Sequence, residues 1–314
     1  MAHQAIVSAD GNEDYSTIQA AVDACPIGRE ELSILYIKNG TYNERVTVPE
    51  GKRIHFIGES EKQTIISYGD YARKIHPDGK EFGTFRTSTL TVTADQFCAE
   101  NLTVANTSGY GAEIGQAVAV MISSDKAVFH HVSMLGNQDT LYTPGSGRQY
   151  YKRCYIEGHV DFIFGSAVAV FDECHIHSLR RGYITAASTP EDVALGYVFF
   201  DCELTGNERG TVFLGRPWRP HSSVTFVRTK MADHIQGEGW DNWRNPDNER
   251  TSRYAEYGCY GPGAQTERRV PWAKTYRATD IPEFLTAHEI LKGDDDWDYN
   301  AFIQIKHNPL NESV

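Results

Sequence analysis

From Gln96 to Thr205 the chain repeats a short strand-like segment at bounded intervals, and few architectures tolerate that. Asn101-Leu102-Thr103-Val104, His131-Val132-Ser133-Met134, Cys154-Tyr155-Ile156-Glu157, Cys174-His175-Ile176-His177 and Cys202-Glu203-Leu204-Thr205 align, and their first members step by 30, 23, 20 and 28 residues. An aromatic residue or Cys precedes most of them by a few positions. One strand per period, with loops absorbing the differences, predicts a β-solenoid. In a parallel solenoid, residues one coil apart stack at about 4.8 Å. Cys154, Cys174 and Cys202 then form a column of small buried hydrophobes, or Cys154 and Cys174 close a disulfide if the compartment is oxidising.

The flanks agree with an all-β chain, which at 314 residues could be two domains or one large β architecture; one domain over residues 1–314 is the expectation. Brief β-branched runs at 32–37, 45–48, 54–58 and 64–67 are divided by Gly, Pro and Asn. Two short helices are expected. Ser16-Thr17-Ile18-Gln19 fits a capping box ahead of Ile18, Ala21, Val22 and Cys25, with Pro26 stopping the run. Residues 282–292, with Pro282 in the first turn and Gly293 just beyond, place Phe284, Leu285, His288 and Leu291 on one face to cover an open β edge.

Charge narrows the partners. A net charge of −12 argues against nucleic acid. No run of eighteen apolar residues suggests a membrane span. The opening Met1-Ala2-His3-Gln4 has no charged segment leading into an apolar one, so the expectation is a cytoplasmic protein, or a secreted one whose leader has been removed. Six cysteines are too few for a disulfide scaffold, and no zinc-type spacing occurs. His130-His131 and His175-Ile176-His177 are better read as hydrogen-bonded strand or loop histidines than as metal ligands.

The repeat also sorts the polar residues. Asp161 sits among apolar neighbours in Gly158-His159-Val160-Asp161-Phe162-Ile163-Phe164-Gly165, where an unpaired charge is costly. Asp139 lies 22 residues earlier in Gly136-Asn137-Gln138-Asp139-Thr140-Leu141-Tyr142, and Gln116 lies 22 before Gln138. At one coil per step, two carboxylates and two amides converge on one patch. Arg216, in Leu214-Gly215-Arg216-Pro217-Trp218, falls about two coils beyond Asp161, where its planar fork suits a carboxylate. Trp218, Tyr142, Phe164 and Trp243 are candidate platforms for sugar rings, or ordinary loop packing.

These motifs, with Gly115-Gln116-Ala117-Val118-Ala119, resemble the signature set of the pectin methylesterases. So do Tyr15-Ser16-Thr17-Ile18-Gln19-Ala20-Ala21, Gly239-Trp240-Asp241-Asn242-Trp243, Tyr254-Ala255-Glu256-Tyr257 and Gly261-Pro262-Gly263-Ala264, in the family's order. Ser166 and His159 depart from the common Asn and Thr, which bears on loop shape and subsite preference. The resemblance implies a right-handed parallel β-helix that hydrolyses the C6 methyl ester of galacturonosyl residues in pectin or its oligosaccharides. It implies Asp161 as nucleophile, Asp139 as general acid and then base, Gln116 and Gln138 as oxyanion donors, and Arg216 as the partner of Asp161. Trp218 would contact substrate, with Tyr142, Phe164 and Trp243 beside it. No cofactor or metal is called for, and a monomer is expected.

The chemistry is coherent on its own terms. Arg216 should lower the pKa of Asp161 and keep it ionised, while Asp139, beside an anion and shielded from water, should hold its proton. No Gly-x-Ser-x-Gly elbow supports a serine route. A glycosidase would leave the glutamines and the Arg unexplained, a calcium-dependent lyase would need a cluster of acidic ligands, and a non-catalytic binding solenoid would not need all five polar residues. Because each turnover adds negative charge to the polymer, a −12 protein should prefer highly methylated or short substrates. Arg148, Lys152, Arg180, Arg181 and Arg219 would offset this only where they line the groove.

Overall fold

The computed structural model describes residues 3–28 and 32–302, so Met1-Ala2 and the two ends of the expected 1–314 domain lie outside the described residues. Every ladder between its strands is parallel, and neighbours are one coil apart, as in a parallel β-helix. Seven short strands form the sheet that carries the candidate site. In chain order they are Val46–Val48, Leu90–Val92, Val120–Ile122, Leu141–Thr143, Ile163–Gly165, Gly182–Ala187 and Val212–Gly215. The other seventeen make a broader sheet that turns a corner. Its long strand Ala127–Leu135 pairs first with Arg148–Lys152 and then with Tyr155–Gly158.

From Asn101 onward a single left-handed residue makes that corner in each of seven successive coils. Asn101, His131, Arg153, Glu173, Asp201, Arg228 and Gly258 have φ between 47° and 59°. Most of these residue types rarely adopt this conformation, at roughly 1–2 kcal/mol apiece, so the stacked coils must hold it. The corner also corrects the expected alignment. Ser133 pairs with Tyr155, so the residue beside Cys154 is Val132 rather than His131, and the true step there is 22. Cys154, Cys174 and Cys202 do stack through their registered neighbours. All six cysteines are free thiols, and those three donate to Phe129 O, Tyr151 O and Phe171 O.

The interior is threaded by an aromatic ladder. Phe129, Tyr151, Phe171, Phe199 and Phe226 occupy one register position, with successive ring centroids 5.1, 4.7, 4.5 and 4.5 Å apart and nearly parallel. Each such contact adds about 0.5–1.5 kcal/mol to plain burial. The next register position holds Glu256, 1% exposed, which Arg269 neutralises through bonds of 2.7 and 3.0 Å.

The helices differ in detail from expectation. The first spans Ile18–Ala24, capped by Thr17 rather than Ser16. Gln19 ties to Thr47, and Glu44 accepts from the N–H groups of Ile18 and Gln19. Near the end only Ala287–Leu291 is regular helix, with Thr286 as its cap. Leu285 and Leu291 are buried, but Phe284 is 60% exposed and His288 is exposed too. This segment lies on the outer face of the broad sheet against Tyr150, Val170 and Val198 rather than over an edge.

Candidate active site

The two aspartates come together because consecutive coils have equal length at this point. Asp139 N–H donates to Val160 O at 3.0 Å and Leu141 N–H to Phe162 O at 2.8 Å, leading into the pairing of Leu141 with Ile163. Ala117 N–H donates to Gln138 O at 3.1 Å, which sets the Gln116 coil beside the Gln138 coil. Both aspartates are left-handed, with φ of 67° and 52°. Gln116, Gln138, Asp139, Asp161 and Arg216 all line one cavity of about 240 Å³, so the five polar residues singled out from the sequence converge.

Glycines set the wall behind them. At Gly165, φ is 129°, and a Cβ there would lie 2.3 Å from Thr143 O. At Gly215 a Cβ would stand 2.0 Å from Thr185 Oγ1, which lets the next residue, Arg216, reach the cavity. Arg216 grips Asp161 with Nε to Oδ1 at 2.9 Å and Nη2 to Oδ2 at 2.7 Å. Its guanidinium lies 3.8 Å from the ring centre of Tyr183 and 3.7 Å from that of Trp243.

The two carboxyls are equally buried, each 7% exposed, but not equivalent. Asp139 has no hydrogen bond to its carboxyl among the described residues. Burial, with Asp161 adding its negative field, pushes Asp139 well above the usual carboxylate range, and Arg216 opposes this weakly. For Asp161 burial also wins, so its pKa is raised rather than lowered as expected. Arg216 pulls it back through hydrogen bonds and charge, while Asp241 adds a smaller upward push. The ordering survives: Asp161 ionises first, and Asp139 keeps its proton to higher pH.

The aromatic candidates divide. Phe164, Trp218 and Trp243 line the cavity, although Trp243 is also committed to covering Arg216. Tyr142 is not among the residues that line the cavity; it lies beside Phe164, stacked on it at 4.5 Å, and against Phe85 at 5.0 Å. Of the five cations, Arg148 is held by Asp125 and Asp295, and Lys152 by Asp172 and Glu173, on the broad sheet. Arg180 stacks 3.5 Å over Tyr110 and donates to Asn137, and Arg219 lies over Trp218, so these two flank the cavity residues. Arg181 is exposed. His175 and His177 both contact the Thr205 hydroxyl. No cluster of metal-ligating side chains occurs among the described residues.

Tyr183, Phe85, Thr84 and Ala186 belong to the site but were not singled out from the sequence. Tyr183 had a signal, because it lies one further 22-residue step beyond Asp161. Phe85 sits on a 3₁₀ turn, Thr84–Arg86, in an excursion from the coils that carries no periodicity.

Comparison with known proteins gives one consistent answer. The family model described as Pectinesterase matches residues 4–294. Pectinesterase 31 of Arabidopsis thaliana is 41% identical over 286 residues, covering 89% of each chain. The pectin methylesterase from Erwinia chrysanthemi superposes with a TM-score of 0.81 at 30% identity, covering 95% of this chain and 98% of the other. The carrot enzyme gives 0.81 at 32% identity, covering 91% and 90%. A pectin methylesterase solved in complex with a hexasaccharide matches equally well, at 0.81 and 30% identity, covering 95% and 98%.

Proposed function

This chain belongs to the pectinesterase family, carboxylic ester hydrolases, and on that premise we propose the roles its five polar residues play in de-esterifying pectin. The observation that carries the assignment is the asymmetry between two equally buried aspartates: Asp161 gripped by Arg216, and Asp139 with no cation bonded to it. The Asp161 carboxylate attacks the C6 carbonyl carbon of a methylated galacturonosyl residue. The amide N–H groups of Gln116 and Gln138 donate to the oxyanion, a single good donor lowering the barrier by about 3 kcal/mol. As the tetrahedral centre collapses, methoxide leaves with the Asp139 proton as methanol, and the sugar stays joined to Asp161 as an anhydride. Asp139, now anionic, takes a proton from water. The resulting hydroxide attacks the same carbonyl carbon, the bond from that carbon to the Asp161 oxygen breaks, and Asp161 leaves as carboxylate beside a new carboxylic acid that gives its proton to solvent.

Trp218 offers a face for a pyranose ring, with the buried Phe164 packed edge to face beside it, and Trp243 with Tyr183 fixes the guanidinium plane. Arg180 and Arg219 supply positive charge beside the cavity, against the repulsion that a −12 protein exerts on its product. Defined methylated oligogalacturonates, followed by mass spectrometry, test the reading. Mass should fall by one methylene per methanol released, with no shorter chains and no unsaturated ends. Chain shortening would indicate a glycosidase, and new double bonds a lyase.

A further inference from the structure

The outer face of the broad sheet carries a further depression, which shares no lining residue with the cavity that holds the aspartates. It has a volume of about 210 Å³ and sits over the last coils. The register explains its shape. Thr225, Ala255 and Lys274 occupy one column, so two small side chains form the floor where Val170 and Val198 fill the same column in earlier coils. One column over, Tyr257 pairs with Tyr276, and their rings stack at 4.6 Å to make a wall. On the other side Arg253 pairs with Ser223, and Trp272 lines the same depression.

Its charge is opposite to that of the protein. The lining includes Arg253 and Lys274 and no carboxylate, on a chain of net charge −12. Neither cation has a carboxylate bonded to it among the described residues. Arg253 is spent on the carbonyls of Pro190, Val193, Ala194 and His221, which fixes its position without neutralising it. Glu191 acts on it only through its field, and burial holds its pKa below the ordinary arginine value. Ser252 Oγ, in the same lining, is buried without a hydrogen-bond partner.

A stacked aromatic wall, a floor of small residues, the Lys274 ammonium with no carboxylate bonded to it, and the fixed positive field of Arg253 are the chemistry that recognises an acidic sugar ring. We propose that this depression is a second, non-catalytic binding site for galacturonate units bearing free carboxylates, the chemical class of the enzyme's own product. The choice of ligand rests on the reaction assigned above. A site of this kind would hold a de-esterified stretch of polymer on the enzyme while another stretch occupies the cavity.

The test uses the intact enzyme and fully de-esterified hexagalacturonate, which is not turned over. Lys274 and Tyr276 lie on the exposed final strand Lys274–Tyr276, so Lys274→Ser with Tyr276→Ala leaves the core untouched. Calorimetric titration should count one more saccharide per chain for the wild-type protein than for the double variant, whatever the occupancy of the catalytic cavity. Lys274→Glu should weaken the second site at least tenfold. Methanol release from a short methylated oligosaccharide should stay within twofold of wild type in both variants. The same count in the wild-type protein and the double variant, or equal binding of an uncharged hexasaccharide, would overturn the proposal. If the wild-type enzyme releases no methanol from the short substrate, the fault lies in the catalytic reading instead.

Discussion

Replacing Arg216 with Gln should alter activity, stability and their pH dependence together. The pair is largely buried, its side chains 19% and 10% exposed, so solvent does little to screen it. Each of the two hydrogen bonds, at 2.9 and 2.7 Å, joins charged groups and is worth about 1.5–3 kcal/mol. Breaking a buried pair from one side costs about 3–5 kcal/mol, because the other charge is stranded. At roughly 2–4 °C per kcal/mol for a chain of this order, Tm should fall by about 6–20 °C. The sign of the pH effect follows from the site. Arg216 is the group that pulls Asp161 down against burial, so its loss lets the Asp161 pKa climb. Attack needs the ionised carboxylate, so the acidic limb of kcat/KM should move to higher pH. The basic limb, set by Asp139, should follow less, because Arg216 acts on Asp139 through its field alone. The bell should therefore narrow, with kcat/KM on its acidic side falling about a hundredfold or more, as expected for a loss near 3 kcal/mol. A titrimetric assay of methanol release from pH 4 to 9 reads this directly. A uniform fall at every pH, with both limbs in place, would refute the reasoning.

Other substitutions probe separate parts of the account. Asp139→Asn should abolish turnover yet raise Tm at pH 7. The folded Asp139 pKa lies above its unfolded value, so the wild-type residue costs stability as pH rises through it, and the advantage of Asn should vanish below the ordinary carboxylate range. Arg269→Met strands Glu256 at the end of the aromatic ladder and should cost about 3–5 kcal/mol by urea denaturation, with much of the loss recovered when Glu256→Gln is added. Gly165→Ala, at a φ of 129° and with its Cβ driven to 2.3 Å from Thr143 O, should lower Tm and also kcat, since the neighbouring Phe164 lines the cavity.

The catalytic constellation was legible because it repeats with the coil. Asp139 and Asp161, like Gln116 and Gln138, differ by 22 residues, so spacing alone placed them side by side. Corners were not legible. A left-handed His131, Arg153 or Glu173 leaves no mark in composition, because stacking neighbours rather than residue type hold it there, and the His131–Cys154 alignment slipped by one in consequence. Tyr183 lies on the same 22-residue step, but an aromatic residue is expected in any strand, so the step alone does not mark it. Phe85 is carried in by an excursion from the coils and could be placed only in three dimensions. The direction of the Asp161 shift turned on how far burial outweighs one guanidinium, a balance no sequence states.

The central claim is that Asp161 itself bonds to the sugar. Wild-type enzyme mixed with a methylated trigalacturonate, quenched in acid within milliseconds and digested, should yield a peptide carrying the sugar acyl group on Asp161. That adduct should be absent from Asp161→Ala, which should release no methanol. Methanol release by Asp161→Ala, or an adduct on any other residue, would contradict it.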